Sequence, residues 1–181
     1  MNTDIYLAFG SNLGDGVAAI QTAIAFLGER GVEPVALSGL FRSKPKYLSD
    51  QPDFINCVGH FKTAIDPREL LAACNEAEKA AGRRRREHYG PRELDVDILL
   101  YGGEVISEKS LTIPHPAIAE RLFVLTPLAE LSCTIVVPGV GVVGELLEEA
   151  RRILPVQEEV VRLGALLHCG CGVPGIRSDG T

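Results

Sequence analysis

The sequence has no apolar run close to the roughly 18 to 20 residues that a membrane-spanning helix needs. Its start, Met-Asn-Thr-Asp, also lacks the basic region and apolar core of a secretory signal. We therefore expect a cytoplasmic protein without a membrane partner. A basic excess is absent as well, because 24 acidic residues outnumber 18 lysines and arginines and give a net charge of −6. This balance argues against a nucleic-acid partner.

Two common nucleotide-binding signatures are also missing. The chain has neither the P-loop pattern G-x-x-x-x-G-K-[ST] nor a G-x-G-x-x-G fingerprint between a strand and a helix. If the protein handles a nucleoside triphosphate, it must use arginines and metal in another fold. The five cysteines are an odd number scattered through the chain, which argues against a disulfide framework. We expect Cys57, Cys74 and Cys133 to be small buried residues.

The composition is that of an ordinary globular protein, with 46% hydrophobic and 23% charged residues in a chain of 181. This length favours one compact domain. We place the domain at residues 1–160 and a glycine-rich, poorly ordered tail at residues 161–181. The tail contains His168, Cys169 and Cys171. An unliganded tail is favoured over a soft metal site, because no second cluster stands at zinc-site spacing.

Hydrophobic periodicity predicts strands at residues 4–9, 34–41, 54–63 and 94–101, with a short strand pair near 105 and 111–113. Helices are expected after Asp15, after Asp66, from about residue 116 with an interruption near Pro127, and over residues 144–154. Strands and helices interleave without a regular parallel repeat. The pattern therefore predicts an α+β sandwich, in which helices pack against a mainly antiparallel sheet.

The most informative segment is GPRELDVDILLYG, residues 90–102. Because strand side chains alternate, Asp95 and Asp97 should share one face, and Leu94, Val96, Ile98 and Leu100 the other. Carboxylates at successive same-face positions, roughly 6 to 7 Å apart, repel one another in a partly dry site unless a cation stands between them. Oxygen ligands of this kind suit Mg²⁺. The alternative is a solvated strand face with two ordinary acids.

Positive side chains surround these acids in the sequence. Arg83 to Arg86, His88 and Arg92 precede them, and His115 and Arg121 follow. Guanidinium groups bind phosphate through paired donors and stay charged at any working pH. A second hypothesis is a binding module whose arginines recognise RNA or an acidic partner. The negative net charge and the aspartate pair, which would repel phosphates without metal, argue against it.

Taken together, these segments resemble the 6-hydroxymethyl-7,8-dihydropterin pyrophosphokinases, which transfer pyrophosphate from ATP to a pterin alcohol in folate synthesis. The similar stretches lie between about residues 4 and 155 and comprise AFGSNLGD (8–15), FRSKP (41–45), DQPDFIN (50–56), GPRELDVDILLYG (90–102), and LTIPHP (111–116) with Arg121. The resemblance implies a ferredoxin-like sandwich. It also implies ATP and the pterin as small-molecule substrates, and no obligate protein partner is inferred.

The resemblance assigns roles by position. Asp95 and Asp97 would bind two Mg²⁺ ions with ATP, and Arg83 and Arg92 would join them as catalytic residues. For ATP it implies Glu78, Arg83, Arg85, Arg92, Ile98, Thr112, His115 and Arg121. For the pterin it implies Gly10, Ser43, Pro45, Phe54, Asn56, Tyr89 and Phe123. Tyr89 stands where many members have Trp, and the segment between Gly82 and Gly90 is one residue shorter than in some relatives.

Overall fold

A single antiparallel sheet forms the centre of the molecule. The structure, a computed structural model, describes residues 2–45, 50–83, 90–154 and 159–166. Its strands are β1 (Thr3–Ser11), β2 (Val32–Leu37), β3 (Gly39–Ser43), β4 (Phe54–Thr63), β5 (Asp95–Tyr101) and β10 (Val160–Ala165). They lie in the order β10-β3-β4-β1-β5, and β2 pairs with β4 as well.

Two helices cover one face of the sheet. They are α1 (Gly16–Gly28) and α2 (Pro67–Ala80). Both begin as the sequence predicts: Asp15 accepts a hydrogen bond from the backbone N–H of Ala18, and Asp66 accepts from those of Arg68 and Glu69. Their apolar sides pack on the odd-numbered residues of β1 in one buried cluster that includes Ile5, Leu7, Phe9, Ile20 and Leu70.

The opposite face carries α3 (Leu122–Leu131) and α4 (Val143–Ile153), which follow a 3₁₀ turn at Ile118–Glu120. A second apolar cluster joins Val58 and Leu100 of the sheet to Val124 and Leu128 of α3. Two small hairpins, β6 (Ile106–Ser107) with β7 (Thr112–Ile113) and β8 (Val136–Val137) with β9 (Gly141–Val142), complete the described elements. The predicted α+β sandwich with a mainly antiparallel sheet is confirmed. None of the helices in the four described ranges is long and apolar enough to cross a membrane.

Strand β5 departs from simple alternation at Leu99. Tyr6 pairs with Leu100, but the next residue of β1, Leu7, pairs with Ile98, so Leu99 is an extra residue in β5. Such a bulge exchanges the faces of the residues beyond it. The prediction that Leu100 shares a face with Val96 is therefore wrong, because Leu100 packs in the cluster under α3.

The C-terminal boundary needs a correction. Residues 161–165 were assigned to a poorly ordered tail, but they belong to β10, which pairs with β3 from Val160↔Ser43 to Ala165↔Gly39. Arg162 anchors the strand through two hydrogen bonds to Oε1 of Glu130 on α3. Pairing with the edge of β3 and the contact with Glu130 hold residues 161–165 in the sheet, although their composition is typical of a poorly ordered tail. Residues 167–181 lie outside the described part, so the rest of that prediction stays a prediction.

Two smaller expectations also change. Cys57 and Cys74 are buried, as predicted, and burial raises the pKa of each thiol to about 12, but Cys133 is exposed. Helix α3 continues through Pro127 because a proline removes only one backbone donor, and the buried leucines on either side hold the helix in place.

Candidate active site

Three strands bring distant segments of the chain into one row across the sheet. Gly10 of β1 lies opposite Asn56 of β4 on one side and opposite Asp95 of β5 on the other. Ala8 lies opposite Asp97 in the next row. Directly opposed residues of antiparallel strands share a face, so all of these side chains belong to the face that carries α3. The structure thus places the two aspartates side by side, next to Asn56.

Two guanidinium groups contact the Asp95 carboxylate. One of its oxygens lies 2.9 Å from Nη1 of Arg83, and the other contacts Nη1 of Arg92. Burial raises the pKa of Asp95, both arginines oppose this rise, and Asp97 adds to it. A partly dry carboxylate next to a second carboxylate needs positive charge, and the arginines supply it here.

Glu78 of α2 supports this arrangement from below the edge of the sheet. Its carboxylate is buried, accepts a hydrogen bond of 2.9 Å from the backbone N–H of Val96, and contacts Nη1 of Arg83 with its other oxygen. Burial raises the pKa of Glu78, while the Val96 hydrogen bond and Arg83 lower it. Glu78 therefore satisfies a donor on the outer edge of β5 and holds an arginine at the same time.

The Asp97 carboxylate is more open than that of Asp95, with 47% of the side chain exposed. Its Oδ2 lies 3.6 Å from Nη1 of Arg121 and 3.9 Å from Nε2 of His115. The His115 ring is oriented by the Ala117 N–H, which donates to Nδ1 over 3.2 Å, while its own backbone N–H donates to the Leu99 carbonyl. Burial lowers the pKa of His115, as does Arg121, whereas Asp97 raises it.

A polar pocket wall adjoins the aspartates on β3 and β4. The buried Asn56 amide donates to Oγ of Ser43 over 2.9 Å and to the Phe41 carbonyl over 3.4 Å. The absence of a side chain at Gly10 leaves space here, because a Cβ would stand 3.4 Å from Asn56 Oδ1 and 3.9 Å from the Phe54 ring. The Asn56 amide oxygen and the Phe54 ring thus both lie next to Gly10, beside the metal-ligand candidates.

The other predicted residues occupy varied positions. Phe123 is half-buried on α3, and the Arg121 guanidinium carbon lies 5.7 Å from its ring centroid, so this ring belongs to the Asp97 side of the site. Pro45 is half-buried just after β3. The Ile98 side chain lies in the core on the face opposite Asp97, and Thr112 is exposed on β7. The structure therefore does not join the last two side chains to the aspartates.

Part of the predicted site lies outside the described residues. This applies to Arg85 and Tyr89, to the neighbouring Arg84, Arg86 and His88, and to the tail residues His168, Cys169 and Cys171. Sequence analysis, in turn, did not single out Asn12. This buried residue directly follows β1 in the GSNLGD stretch and hydrogen-bonds to Arg92. A polar residue just after an apolar strand was the only available signal.

The donor set fits Mg²⁺. This ion takes one or two protein carboxylates and completes its coordination with water and phosphate oxygens. Asp95 and Asp97 provide two hard oxygen ligands on one face. Among the residues that the structure describes, no group of three or more His, Cys, Asp or Glu could hold a metal by itself. Water or phosphate oxygens would complete the coordination of an ion held by these two carboxylates.

Comparisons with known proteins identify the family. The sequence model of the family described as 7,8-dihydro-6-hydroxymethylpterin-pyrophosphokinase (HPPK) matches residues 6–133. The 2-amino-4-hydroxy-6-hydroxymethyldihydropteridine pyrophosphokinase of Haemophilus influenzae is 37% identical over 145 residues, which cover 80% of this chain and 91% of that protein.

Two longer proteins also match. The folic acid synthesis protein fol1 of Pneumocystis carinii is 41% identical over 140 residues, which cover 77% of this chain and 19% of that protein. A crystal structure of Plasmodium falciparum HPPK-DHPS with pteroate has a TM-score of 0.68 and 14% identity, and the match covers 82% of this chain and 42% of that one. The chain thus spans about a fifth of the fungal relative, and the Plasmodium structure shows likeness of fold alone.

Proposed function

Because the chain belongs to the 7,8-dihydro-6-hydroxymethylpterin-pyrophosphokinase family, we propose that it transfers a pyrophosphoryl group from ATP to 6-hydroxymethyl-7,8-dihydropterin. The products are AMP and the pterin diphosphate used in folate synthesis. One observation carries the proposal: the Asp95–Asp97 pair stands beside the Asn56 pocket wall and faces Arg83, Arg92, His115 and Arg121.

The arginines neutralise the phosphates of ATP. Arg83 and Arg92 approach Asp95 from one side, whereas Arg121 and His115 approach Asp97 from the other. Charge-assisted bonds from a guanidinium suit phosphate as well as carboxylate. The triphosphate would therefore compete with Asp95 for Arg83 and Arg92. In the described part of the chain both arginines face the site's own acids, which favours this function over a general RNA-binding surface.

Asp95 and Asp97 would hold Mg²⁺ with the triphosphate. The bound ions would neutralise phosphate charge and lower the pKa of the attacking hydroxyl. The half-exposed Asp97 is accessible for this role. Asp95 would become available to Mg²⁺ when Arg83 and Arg92 move to the phosphates. The metal ion would then replace the two arginines as the counter-charge of this carboxylate.

The pterin would lie between the aromatic rings and the pocket wall. Phe54 and Phe123 offer apolar faces for stacking, and Ser43 and Pro45 complete the β3 side. Asn56 Oδ1 can accept from the N–H groups of the pterin amide edge, while the Asn56 amide nitrogen already donates to Ser43 and to the Phe41 carbonyl of β3 and so holds the side chain in place. Tyr89 and Arg85, outside the described residues, remain predicted contacts of the pterin and of ATP.

In the reaction, the pterin hydroxymethyl oxygen attacks the β-phosphorus of ATP in line. A new bond forms between this oxygen and the β-phosphorus, the bond from the β-phosphorus to the α–β bridging oxygen breaks, and AMP leaves. The hydroxyl proton is released to solvent. Such a transfer depends on positioning and charge neutralisation rather than on covalent help from the protein. His115, whose ring and backbone are held by hydrogen bonds, would keep the phosphates aligned together with Arg121.

The direct test measures AMP release from ATP and Mg²⁺ with and without the pterin, and identifies the pterin product by mass. We expect AMP and pterin diphosphate only when both substrates are present. Asp97→Asn should lower kcat by roughly 10²-fold or more, as the loss of a charge-stabilising group does. Asp4→Asn is the matched control, because Asp4 lies at the far end of β1 and pairs with His60. Near-normal turnover of Asp97→Asn would refute the assigned role.

A further inference from the structure

Asn12 lies where three segments of the chain meet. It follows the end of β1, and its side chain reaches both the 50–53 segment before β4 and the 90–94 segment before β5. The amide nitrogen donates to Gln51 Oε1 over 3.1 Å and to the Pro52 carbonyl over 3.3 Å. The amide oxygen accepts from the backbone N–H of Arg92 over 2.9 Å. The side chain therefore uses both donors and its acceptor.

The backbone strengthens the contact with Arg92. The Asn12 N–H donates to the Arg92 carbonyl over 3.1 Å, so both backbone polar groups of Arg92 are held by one residue. The guanidinium of Arg92, which contacts Asp95, thus extends from a backbone that Asn12 fixes. Asn12 is only 6% exposed, and buried polar groups of this kind are costly to leave unpaired.

The two segments lead to opposite sides of the proposed site. The 50–53 segment leads into Phe54 and Asn56, on the pterin side, and the 90–94 segment carries Arg92 and leads into Asp95, on the phosphate side. Only an amide side chain supplies two donors and an acceptor here; a carboxylate of the same shape supplies acceptors alone. Asparagine thus suits this position, because the acceptors of Gln51 and Pro52 lie on one side of the side chain and the Arg92 N–H donor lies on the other.

We propose that Asn12 is a positioning residue that couples the pterin side of the site to the phosphate side. When the Arg92 backbone moves, the Asn12 amide transmits the displacement to the 50–53 segment. Ordering of the 90–94 segment therefore favours ordering of the 50–53 segment, and the reverse. Binding of ATP would then strengthen binding of the pterin, and by linkage the reverse. This inference rests on the proposed function, because it takes the two substrates to lie on these two sides.

Asn12→Asp tests the junction selectively. The aspartate can still accept from the Arg92 N–H, but it turns acceptors toward the Gln51 and Pro52 oxygens. We expect pterin binding in the presence of α,β-methylene-ATP to weaken by roughly tenfold, while binding of the analogue alone changes by less than about threefold. The ratio of pterin Kd without and with the analogue should fall toward one. In turnover, the pterin KM should rise more than the ATP KM.

Two further variants keep the test decisive. Asn75→Asp, which makes the same change at an exposed helix position where the amide donates to the Leu71 carbonyl, should leave both affinities and their ratio unchanged. Gln51→Met removes one acceptor of the Asn12 amide and should weaken the coupling in the same direction, even if Asn12→Asp proves too unstable to study. Deuterium exchange in the 50–53 segment should rise in both junction variants.

The outcomes separate this inference from the proposed function. If the wild-type protein forms no pterin diphosphate, the proposed function fails. If the wild type turns over and the junction variants keep the wild-type coupling ratio while losing only thermal stability, Asn12 is a structural residue and the positioning role is refuted.

Discussion

Glu78 offers a sharp test of how β5, the strand that carries Asp95 and Asp97, is held in place. Its carboxylate accepts from the Val96 N–H, on the outer edge of β5 between the two aspartates, and contacts Arg83. Glu78→Ala removes the acceptor and leaves a buried N–H unpaired, which costs about 1 to 3 kcal/mol. In a protein of this size each kcal/mol lowers Tm by about 2 to 4 °C, so a loss of about 2 kcal/mol corresponds to roughly 4 to 8 °C.

Glu78→Gln separates the hydrogen bond from the charge. The glutamine oxygen can still accept from the Val96 N–H, and Arg83 retains Asp95 as a partner. We therefore expect its free energy of unfolding to stay within about 1 kcal/mol of the wild type at neutral pH, since the lost charge pair is offset by a smaller desolvation penalty. Thermal and urea unfolding of the two variants measure this difference.

The pH dependence follows from burial. Because burial raises the pKa of Glu78 in the folded protein above its ordinary value of 4.5, ionisation of this group opposes folding at neutral pH. This penalty disappears as the pH falls through the raised folded pKa toward 4.5, where the group is protonated in the folded protein. The stability of Glu78→Gln relative to the wild type should therefore be greatest near pH 7 to 8 and decline toward pH 5. Equal destabilisation by Ala and Gln at neutral pH would show that the Arg83 contact, rather than the Val96 hydrogen bond, dominates.

Three other expected outcomes follow from the described contacts. Arg83→Met removes one of the two cations that contact Asp95. The affinity for Mn²⁺ without nucleotide, measured by electron paramagnetic resonance, should therefore rise roughly tenfold. An unchanged affinity would contradict competition between arginine and metal for this carboxylate. Asp66→Ala loses the cap of α2 and should cost about 1 kcal/mol in urea unfolding, against no loss if the cap is dispensable. Gly39→Ala places a Cβ 2.8 Å from the Gly164 carbonyl oxygen, so deuterium exchange in β10 should accelerate; slow exchange would mean that β3 adapts.

Much of the site could be predicted from the sequence because its chemistry is local. Asp95 and Asp97 are two residues apart on one strand, so alternation alone places them on one face. Periodicity and caps such as Asp66 also predict the element order β-α-β-β-α-β, whereas the ferredoxin-like fold was implied by the resemblance. The structure divides the second predicted strand into β2 and β3. The residues assigned by resemblance to the aspartates and to the Asn56 wall lie together in the sheet. For Ile98 and Thr112, side-chain positions give no such support.

The remaining features depend on pairings between distant segments. The bulge at Leu99, which turns Leu100 to the α3 face, arises from the match between β5 and β1, and neither strand shows it alone. Residues 160–165 become a strand because β3 offers an open edge and Glu130 a partner for Arg162. These are contacts across long sequence separations, where composition indicates a tail and the tertiary structure decides otherwise.

The sequence by itself determined most of the secondary elements, the acidic pair and its positive surroundings, since each depends on residues close together in the chain. The tertiary structure decided which cation faces which carboxylate and what holds the strands that carry them. Arg83 is shared by Glu78 and Asp95, and Asn12 joins segments 39 and 80 residues away. Buried hydrogen-bonding groups must find partners wherever the fold brings them, and sequence spacing does not encode those partners.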